Sequence, residues 1–245
     1  MTPIKTARGD VFVYENADAV ALAAADVFAT CVKGVLADSA TAKVALSGGS
    51  TPKALFKLLA SPNWRDRIEW KRVEIFFADE RCVPPDHADS NYKMARETLL
   101  DHVPLAADHV HRIAGERPPS EAATHYAQLL TRLGDPPRLD LLLLGMGPDG
   151  HTASLFPGTA VLNEQRALAA PVYVQKLESW RVTMTAPVLS AASHVVVTTV
   201  GHEKADALAL ALTGPEGAVP IQRVHARDMR WLVDEAAAQK WRANR

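Results

Sequence analysis

The sequence predicts a doubly wound, Rossmann-like α/β fold, in which a mostly parallel sheet carries helices on both faces. Short apolar runs alternate with helical patterns along the 245 residues, and this alternation is typical of parallel sheets covered by helices. Several runs are continuously apolar, as expected for strands that are buried on both faces. No repeat or clear linker divides the chain, so we expect a single domain over residues 1–245.

Five apolar runs are the main predicted strands, and five helical patterns follow them. The strands are Val11–Tyr14, Lys43–Leu46, Val73–Phe77, Leu139–Leu144 and Val195–Val200. The helices are Ala17–Leu36, Pro52–Leu59, Ser90–His102, Ser120–Leu133 and His202–Leu212. A polar–apolar alternation from Arg181 to Thr185 indicates one more strand. The segment Met229–Arg245 is predicted to form a short strand and then a helix that packs on the sheet.

Composition and charge exclude several classes of function. The formal net charge is -1 and 48% of the residues are hydrophobic, so we expect no nucleic-acid partner and no membrane partner. The most apolar helix, Ala17–Leu36, contains Asp18, Asp26 and Lys33, and we expect it to be too polar to cross a membrane. The N-terminus has no apolar signal segment, and we therefore expect a cytoplasmic protein.

The sequence also predicts no metal ion and no cofactor. Its two cysteines form no CxxC pair, and its nine histidines have no zinc-ligand spacing. One segment, Gly145–Gly150, matches the GxGxxG pattern of dinucleotide sites. That match lies in the middle of the chain, Pro157 interrupts any helix after it, and no acidic residue follows at the expected place. We therefore interpret the three glycines as a tight turn.

Four polar clusters each follow an apolar run. In an open parallel sheet, ligands bind beyond the carboxyl ends of the strands, so parallel strands would bring the four clusters to one edge. The clusters are Ser47-Gly48-Gly49-Ser50-Thr51, Asp79-Glu80-Arg81, Gly145 to His151, and Gly201-His202-Glu203-Lys204.

The first cluster joins a strand to a helix and suits an anion. Its glycines allow backbone N–H groups to approach a ligand, and the start of a helix favours negative charge. We expect Ser50 or Thr51 to cap this helix and Pro52 to lie in its first turn. An ordinary, well-capped turn would have the same residues, so the pattern alone leaves both interpretations open.

The third cluster presents His151 at a strand end, two residues after Asp149. An imidazole exchanges protons near neutral pH, and this setting favours a catalytic base. A structural histidine is the alternative interpretation. The chain has no GxSxG motif, which argues against a serine esterase.

Three cations near these clusters are candidates for binding an anion: Arg81, Arg181 and Lys204. Lys204 is predicted in the first turn of a helix, where the helix dipole disfavours a cation unless an anion is bound nearby. Arg81 could instead pair with a neighbouring carboxylate at a solvated strand end.

Together these motifs resemble the 6-phosphogluconolactonase family. The resemblance extends over most of the chain, and its best match is the stretch from Gly145 to Gly158. The other matching segments are Leu46–Pro52, Asp79–Pro84, Ser90–Tyr92, Arg181–Thr185 and Gly201–Lys204.

The related glucosamine-6-phosphate deaminases are similar in the first glycine loop and in the GxGxDGH segment. They carry a Phe-Asn-Glu-Pro-like stretch, whose glutamate takes part in ring opening, where this chain has Ser154-Leu155-Phe156-Pro157. They also tend to have Asp-Glu-Tyr where this chain has Asp79-Glu80-Arg81. Both differences favour the lactonase.

The resemblance implies a NagB-type fold and an enzyme acting on a small-molecule substrate, and we expect a monomer. The reaction would be hydrolysis of 6-phospho-D-glucono-1,5-lactone to 6-phosphogluconate, in the pentose phosphate pathway. His151 would act as general base toward water, oriented by Asp149 or Asp79, and Arg81 would serve either the oxyanion or the phosphate. The implied phosphate-binding residues are Ser47, Gly48, Gly49, Ser50, Thr51, Arg181 and Lys204.

Two other functions fit the same scaffold. One is an amino-sugar phosphate deaminase, which ammonium release would identify. The other is a sugar-phosphate sensor without enzymatic activity. Such sensors usually carry a DNA-binding segment, and we expect none here because only a few residues precede the first strand.

Overall fold

The computed structural model describes residues 2–243 and confirms the predicted α/β fold class. The strands, numbered in chain order, are β1 Ile4–Thr6, β2 Gly9–Tyr14, β3 Ala42–Leu46, β4 Val73–Phe77, β5 Asp79–Arg81, β6 Val110–His111, β7 Leu141–Gly145, β8 Ala169–Val174, β9 Ser179–Met184, β10 His194–Thr199 and β11 Met229–Asp234. The α-helices are α1 Ala17–Asp38, α2 Ser50–Ala60, α3 Pro62–Arg65, α4 Asn91–Thr98, α5 Pro119–Leu130, α6 Ala186–Ser190, α7 Ala205–Thr213 and α8 Glu235–Ala243.

The main sheet has eight strands in the order β1-β2-β11-β10-β7-β3-β4-β6. All neighbours pair in parallel except β1, which is antiparallel to β2. Leu141–Leu144 are all buried, although successive side chains of a strand point to opposite faces, so both faces of the sheet are covered here.

The order of the strands reverses between β3 and β7. From β3 the chain continues outward through β4 to β6, then returns to β7 on the other side and continues outward to β10. Ser47 Oγ, just after β3, donates a hydrogen bond to the carbonyl of Leu143 in β7 at 2.8 Å. Such a reversal opens a crevice at the carboxyl ends of the strands, where ligands of open α/β sheets bind.

Helix α1 is the long apolar helix of the sequence. Asn16 caps it by accepting a hydrogen bond from Ala19 N–H at 3.0 Å. Within residues 2–243 it is also the one helix long and apolar enough to cross a membrane, with a mean hydropathy of 1.8, so its charges alone do not exclude a span. In the structure eight of its side chains, among them Phe28 and Val32, are buried in the core.

Several predicted elements differ from the observed ones at their ends. The predicted helix Ser90–His102 is divided into α4 and a 3-10 turn, Leu100–His102. Ser90 precedes α4 as its cap and accepts from Lys93 N–H at 3.1 Å. The predicted C-terminal strand and helix are present as β11 and α8, while residues 244–245 lie outside the described part of the chain.

A second, antiparallel sheet in the order β5-β9-β8 was not predicted. Ala78 joins it to the main sheet, because its N–H donates to Leu46 O and its carbonyl accepts from Met184 N–H, both at 2.8 Å. The cluster Asp79-Glu80-Arg81 is therefore strand β5 rather than a solvated strand end. This small sheet lies beside the carboxyl ends of β3 and β4.

Candidate active site

One pocket lies at the carboxyl ends of the parallel strands. Residues from all four polar clusters line it, so the predicted convergence of these clusters is confirmed. Asp149 does not line this pocket; it lies beside His151, to which it is hydrogen-bonded. The predicted site residues that line the pocket are Ser47, Gly48, Gly49, Ser50, Thr51, Asp79, Arg81, His151, Arg181 and Lys204.

The glycine loop leads from β3 into α2. The residue that caps α2 is Gly49, with φ of 120°, so the expectation that Ser50 or Thr51 caps the helix is wrong. Only glycine readily adopts such a backbone, and it brings no side chain to the first N–H groups of the helix. The start of α2 therefore lines the pocket without a side-chain cap, with Pro52 in its first turn as predicted.

Gly48 lies against a buried side chain from α4. A Cβ atom on Gly48 would be 1.8 Å from Asn91 Oδ1. The Asn91 amide nitrogen donates to Asp79 O at 3.0 Å and to Asp79 Oδ1 at 3.2 Å, which settles the orientation of the amide. Its Oδ1 atom is buried with no hydrogen-bond partner among the described residues, so Asn91 presents an acceptor at this pocket.

The turn after β7 is closed around His151. Gly147 N–H donates to the His151 carbonyl at 2.8 Å, and a Cβ atom on Gly147 would be 2.1 Å from His151 Nδ1. The next helical element in the described chain is a short 3-10 turn, Ala160–Asn163, so no helix follows the GxGxxG match. The three glycines thus lie in the tight turn that the sequence indicated.

His151 is held on two sides. Its Nδ1 atom lies 2.5 Å from Asp149 Oδ1, and its ring stacks on Phe156 with 4.0 Å between ring centroids. Burial would raise the pKa of Asp149, but hydrogen bonds from Lys176 and His151 lower it to about 2. An ionised carboxylate only accepts, so the proton of a neutral His151 is on Nδ1 and Nε2 is the basic nitrogen.

The environment of His151 also favours its neutral form. Burial lowers the pKa of the imidazole below its ordinary value, and the hydrogen bond from Nδ1 to Asp149 opposes this shift only in part. The side chain is 27% exposed, which leaves the ring accessible from the pocket. The arrangement provides an unprotonated base at neutral pH.

The orientation of Asp79 is set by hydrogen bonds from residues other than His151. It is 4% exposed, and its Oδ2 atom accepts from Ser154 Oγ at 2.6 Å while Oδ1 accepts from Asn91. Of the two carboxylates that the sequence left open as partners of the imidazole, Asp149 makes the hydrogen bond.

Glu80 is buried and holds the start of α4. Its carboxylate accepts from the N–H groups of Arg81, Asn91 and Tyr92 at 2.7–2.8 Å and from Ser90 Oγ at 3.0 Å. Burial raises the pKa of Glu80 although these four hydrogen bonds oppose the shift. Glu80 therefore has a structural role at the start of α4 that the sequence did not reveal.

The three predicted cations all reach the pocket. Arg81 and Arg181 are paired residues of β5 and β9, and both Nε atoms are buried with no partner among the described residues. Arg81 Nη1 donates to the carbonyl of Asp89 at 2.5 Å. Lys204 ends a 3-10 turn and directly precedes α7, close to its predicted place in a first helical turn. The pocket is thus rich in donors and positive charge.

Sequence reasoning missed two polar neighbours of the site. Asn91 entered only as part of a matching segment, and Lys176, the ion-pair partner of Asp149, did not enter at all. Asn91 lies 12 residues after Asp79 and Lys176 lies 27 residues after Asp149, and no local pattern links them to the clusters they contact.

Comparison with known proteins gives a consistent result. The family model described as glucosamine-6-phosphate isomerases/6-phosphogluconolactonase matches residues 15–233. A 6-phosphogluconolactonase of Treponema pallidum (strain Nichols) is 36% identical, over 85% of this chain and 86% of that protein. The crystal structure of devB protein has a TM-score of 0.87 and 35% identity, covering 94% of this chain and 98% of the other.

A plant relative is longer than this chain. The probable 6-phosphogluconolactonase 3, chloroplastic, of Oryza sativa subsp. indica is 38% identical over 79% of this chain. The matched region spans 64% of the rice protein's length. The family model and the similarity to the Treponema protein agree with the motifs in the sequence. The chain belongs to the glucosamine-6-phosphate isomerase/6-phosphogluconolactonase family.

Proposed function

We propose that this protein hydrolyses 6-phospho-D-glucono-1,5-lactone to 6-phosphogluconate, a step of the oxidative pentose phosphate pathway. One observation carries the proposal: a histidine base, polarised by an ionised carboxylate, shares a pocket with a glycine loop at a helix start and three cations. The base suits water activation, and the loop and cations suit a phosphate. Relatives named 6-phosphogluconolactonase support this assignment.

In the proposed mechanism, His151 activates water. Its Nε2 atom takes a proton as the water oxygen attacks C1 of the lactone, and the carbonyl oxygen becomes an oxyanion. Asp149 stabilises the imidazolium through Nδ1–H. The tetrahedral intermediate then collapses, the bond between C1 and the ring oxygen breaks, and the imidazolium returns its proton to that oxygen. A lactone is a reactive ester, so a positioned base and an oxyanion partner are sufficient.

The phosphate is proposed to bind at residues 48–51, at the start of α2. The uncapped helix start and Gly49 allow close approach to backbone N–H groups. Lys204 and Arg181, which also line the pocket, supply positive charge for the phosphate. Arg81 is placed to serve either the phosphate or the oxyanion. A variant Arg81→Ala separates these roles, because loss of a phosphate ligand raises KM and loss of an oxyanion partner lowers kcat.

The test is an assay on freshly made 6-phosphogluconolactone, with the unphosphorylated lactone as control. We expect rapid hydrolysis of the phosphorylated lactone and a much lower kcat/KM for the control. Burial lowers the pKa of His151 below the ordinary histidine value of about 6.5. The rate of hydrolysis should therefore fall only at pH values below that ordinary value. Ammonium release from glucosamine 6-phosphate would indicate a deaminase instead, and sugar-phosphate binding without turnover would indicate a sensor.

We also propose a reaction that needs no metal. Among residues 2–243, no group of three or more His, Cys, Asp or Glu side chains is placed to hold a metal ion. Activity should therefore survive dialysis against a strong chelator. Loss of activity that one added metal restores would reject this part of the mechanism.

Three further proposals concern the whole molecule: one domain, a monomer, and a cytoplasmic location. A continuous buried core that extends from Val11 in β2 to Trp241 in α8 supports the single domain. Light scattering after size-exclusion chromatography tests the monomer, and localisation of a tagged protein tests the compartment. A dimeric mass or a signal in another compartment would reject the respective proposal.

A further inference from the structure

Lys176 lies at the tip of the hairpin between β8 and β9, in the short 3-10 turn Gln175–Leu177. Its ammonium is ion-paired with Oδ2 of Asp149. The other carboxylate oxygen, Oδ1, accepts a hydrogen bond from Nδ1 of His151. We propose that Lys176 is a positioning residue of the lactonase reaction: it holds Asp149 in the orientation that keeps the proton of His151 on Nδ1 and leaves Nε2 as the base. This inference rests on the proposed function.

The aromatic ring of Phe156 contacts two of these three residues, His151 and Lys176. His151 stacks on this ring, and Lys176 Nζ lies 5.0 Å from its centroid. Arg181 lies over the ring as well, with Cζ at 5.4 Å. A cation near an aromatic face is attracted by the ring quadrupole, so Phe156 fixes both the imidazole and the ammonium that flank Asp149.

Lys176 acts on the base and not on the substrate. It does not line the pocket that contains the glycine loop and Lys204. It lines a neighbouring cavity instead, together with Phe156 and Trp180. Its effect on catalysis must therefore pass through Asp149 and His151.

The charges around His151 determine the direction of the effect. Asp149 and Asp79 raise the pKa of the imidazole, whereas burial and the charge of Lys176 lower it. Arg181 is the further cation on the Phe156 ring. Without the ammonium of Lys176, a charge that repels the imidazolium is removed, while Asp149 stays beside the ring and still attracts it. The carboxylate of Asp149 is then no longer held in one orientation toward Nδ1. The base then becomes protonated at higher pH, and activity is lost earlier on the acid side.

The experiment compares Lys176→Met, which removes the charge and keeps most of the length, with Lys176→Arg, which keeps the charge. We expect Lys176→Met to lower kcat roughly tenfold, the lower end of what a lost orienting contact costs. In Lys176→Met, KM should stay near the wild-type value and the acid limb of kcat should move to higher pH. Lys176→Arg should have the wild-type kcat and the wild-type acid limb. Leu177→Ala is the matched control, since Leu177 belongs to the same turn and is 48% exposed.

A second measurement does not depend on turnover. Nitrogen-15 NMR of the imidazole reports which nitrogen of His151 carries the proton and where it titrates. We expect Nδ1–H in the wild type, and a higher midpoint with a mixed tautomer in Lys176→Met. Lys176→Gln is a second neutral variant, and the half-exposed side chain should allow both to fold.

The outcomes separate the two proposals. If the wild type does not hydrolyse the lactone, the proposed function fails, while the NMR comparison still decides the role of Lys176. If folded Lys176→Met and Lys176→Gln keep the wild-type tautomer, midpoint and acid limb, Lys176 has no positioning role. A raised KM with unchanged kcat would also overturn it, because that result describes a substrate ligand.

Discussion

The two walls of the pocket are built in different ways. One wall comes from the turns after the parallel strands β3, β7 and β10, and consists of glycine-rich backbone with His151 and Lys204. The other wall comes from the antiparallel sheet β5-β9-β8, in which Asp79 and Glu80 are buried and engaged by protein donors. The first wall leaves its groups available to a ligand, and the second uses its carboxylates within the protein.

This difference predicts which substitutions should change turnover or substrate binding and which should change stability. Turns at the carboxyl ends of parallel strands present groups to the crevice, so changes there should alter turnover or substrate binding. Buried carboxylates that accept several hydrogen bonds stabilise the framework, so changes there should alter stability first. Four substitutions test this division.

The largest effect is expected for His151→Asn. Asparagine keeps polarity but cannot take a proton at neutral pH, so kcat should fall roughly 10²–10⁴-fold, the usual contribution of a general base. KM should change much less, because the proposed phosphate ligands are other residues. Steady-state kinetics, corrected for spontaneous hydrolysis of the lactone, measure both.

The exposed His125 in α5 provides the control for this variant, and His125→Asn should behave as wild type. A folded His151→Asn protein with nearly normal kcat would show that His151 is not the base. The base would then have to be sought among Asp79, Glu80 and Asp149.

Gly48→Ala tests the contact between the two walls. The new Cβ atom would meet Asn91 Oδ1 at 1.8 Å, so Asn91 must move and its bonds to Asp79 must lengthen or break. We expect kcat/KM to fall on the order of 10²-fold, as misplaced groups in a site commonly produce. Gly34→Ala in α1 is the control: its Cβ would meet no atom within 4 Å. Equal activity of the two variants would show that the walls are independent.

Lys204→Ala tests the phosphate end of the first wall. Loss of a charge-assisted hydrogen bond should raise KM for the phosphorylated lactone by roughly 10- to 100-fold. The unphosphorylated lactone should be affected little. Lys57→Ala, an exposed lysine in the last turn of α2, should leave both KM values unchanged. Unchanged preference for the phosphorylated lactone in Lys204→Ala would exclude Lys204 as a phosphate ligand.

The smallest effect on turnover is expected for Glu80→Gln in the second wall. The carboxylate of Glu80 accepts hydrogen bonds from four donors, and the glutamine amide would place another donor among them. At least one hydrogen bond is then lost, so the free energy of unfolding should fall by about 2 kcal/mol. Thermal unfolding should show this as a Tm lower by roughly 4–8 °C. Glu97→Gln, in an exposed pair with Lys93, should leave Tm nearly unchanged. A large loss of kcat with normal Tm would contradict the division between the walls.

The two walls also differ in how well the sequence predicts them. The continuous apolar run of β7 and the polar turn after it are local patterns, and both the strand and the convergence at its end were predicted. The pairing of β5 with β9 joins residues about a hundred positions apart. Three residues of β5 are too few to show a period, and β8 contains Pro171, which argues against a strand.

The assignments within the site that were wrong or left open depend on backbone angles and distances, which local sequence patterns do not contain. The cap of α2 was assigned to Ser50 or Thr51 because hydroxyl groups are common caps, whereas the backbone at Gly49 has the positive φ that starts the helix. The choice between Asp79 and Asp149 as partner of His151 required distances, since both follow predicted strands. Lys176 reaches Asp149 from a hairpin tip that only the tertiary structure brings near.

The crowding between Gly147 and His151 has an evolutionary consequence. A Cβ atom at position 147 would overlap the imidazole, at 2.1 Å from both Nδ1 and Cε1. Glycine is thus required there while the histidine ring, and Asp149 Oδ1 at 2.9 Å, occupy that space. In descendants that had lost the histidine, position 147 would be released from selection for glycine. An alanine at position 147 would indicate a lineage in which the pocket had already lost this histidine.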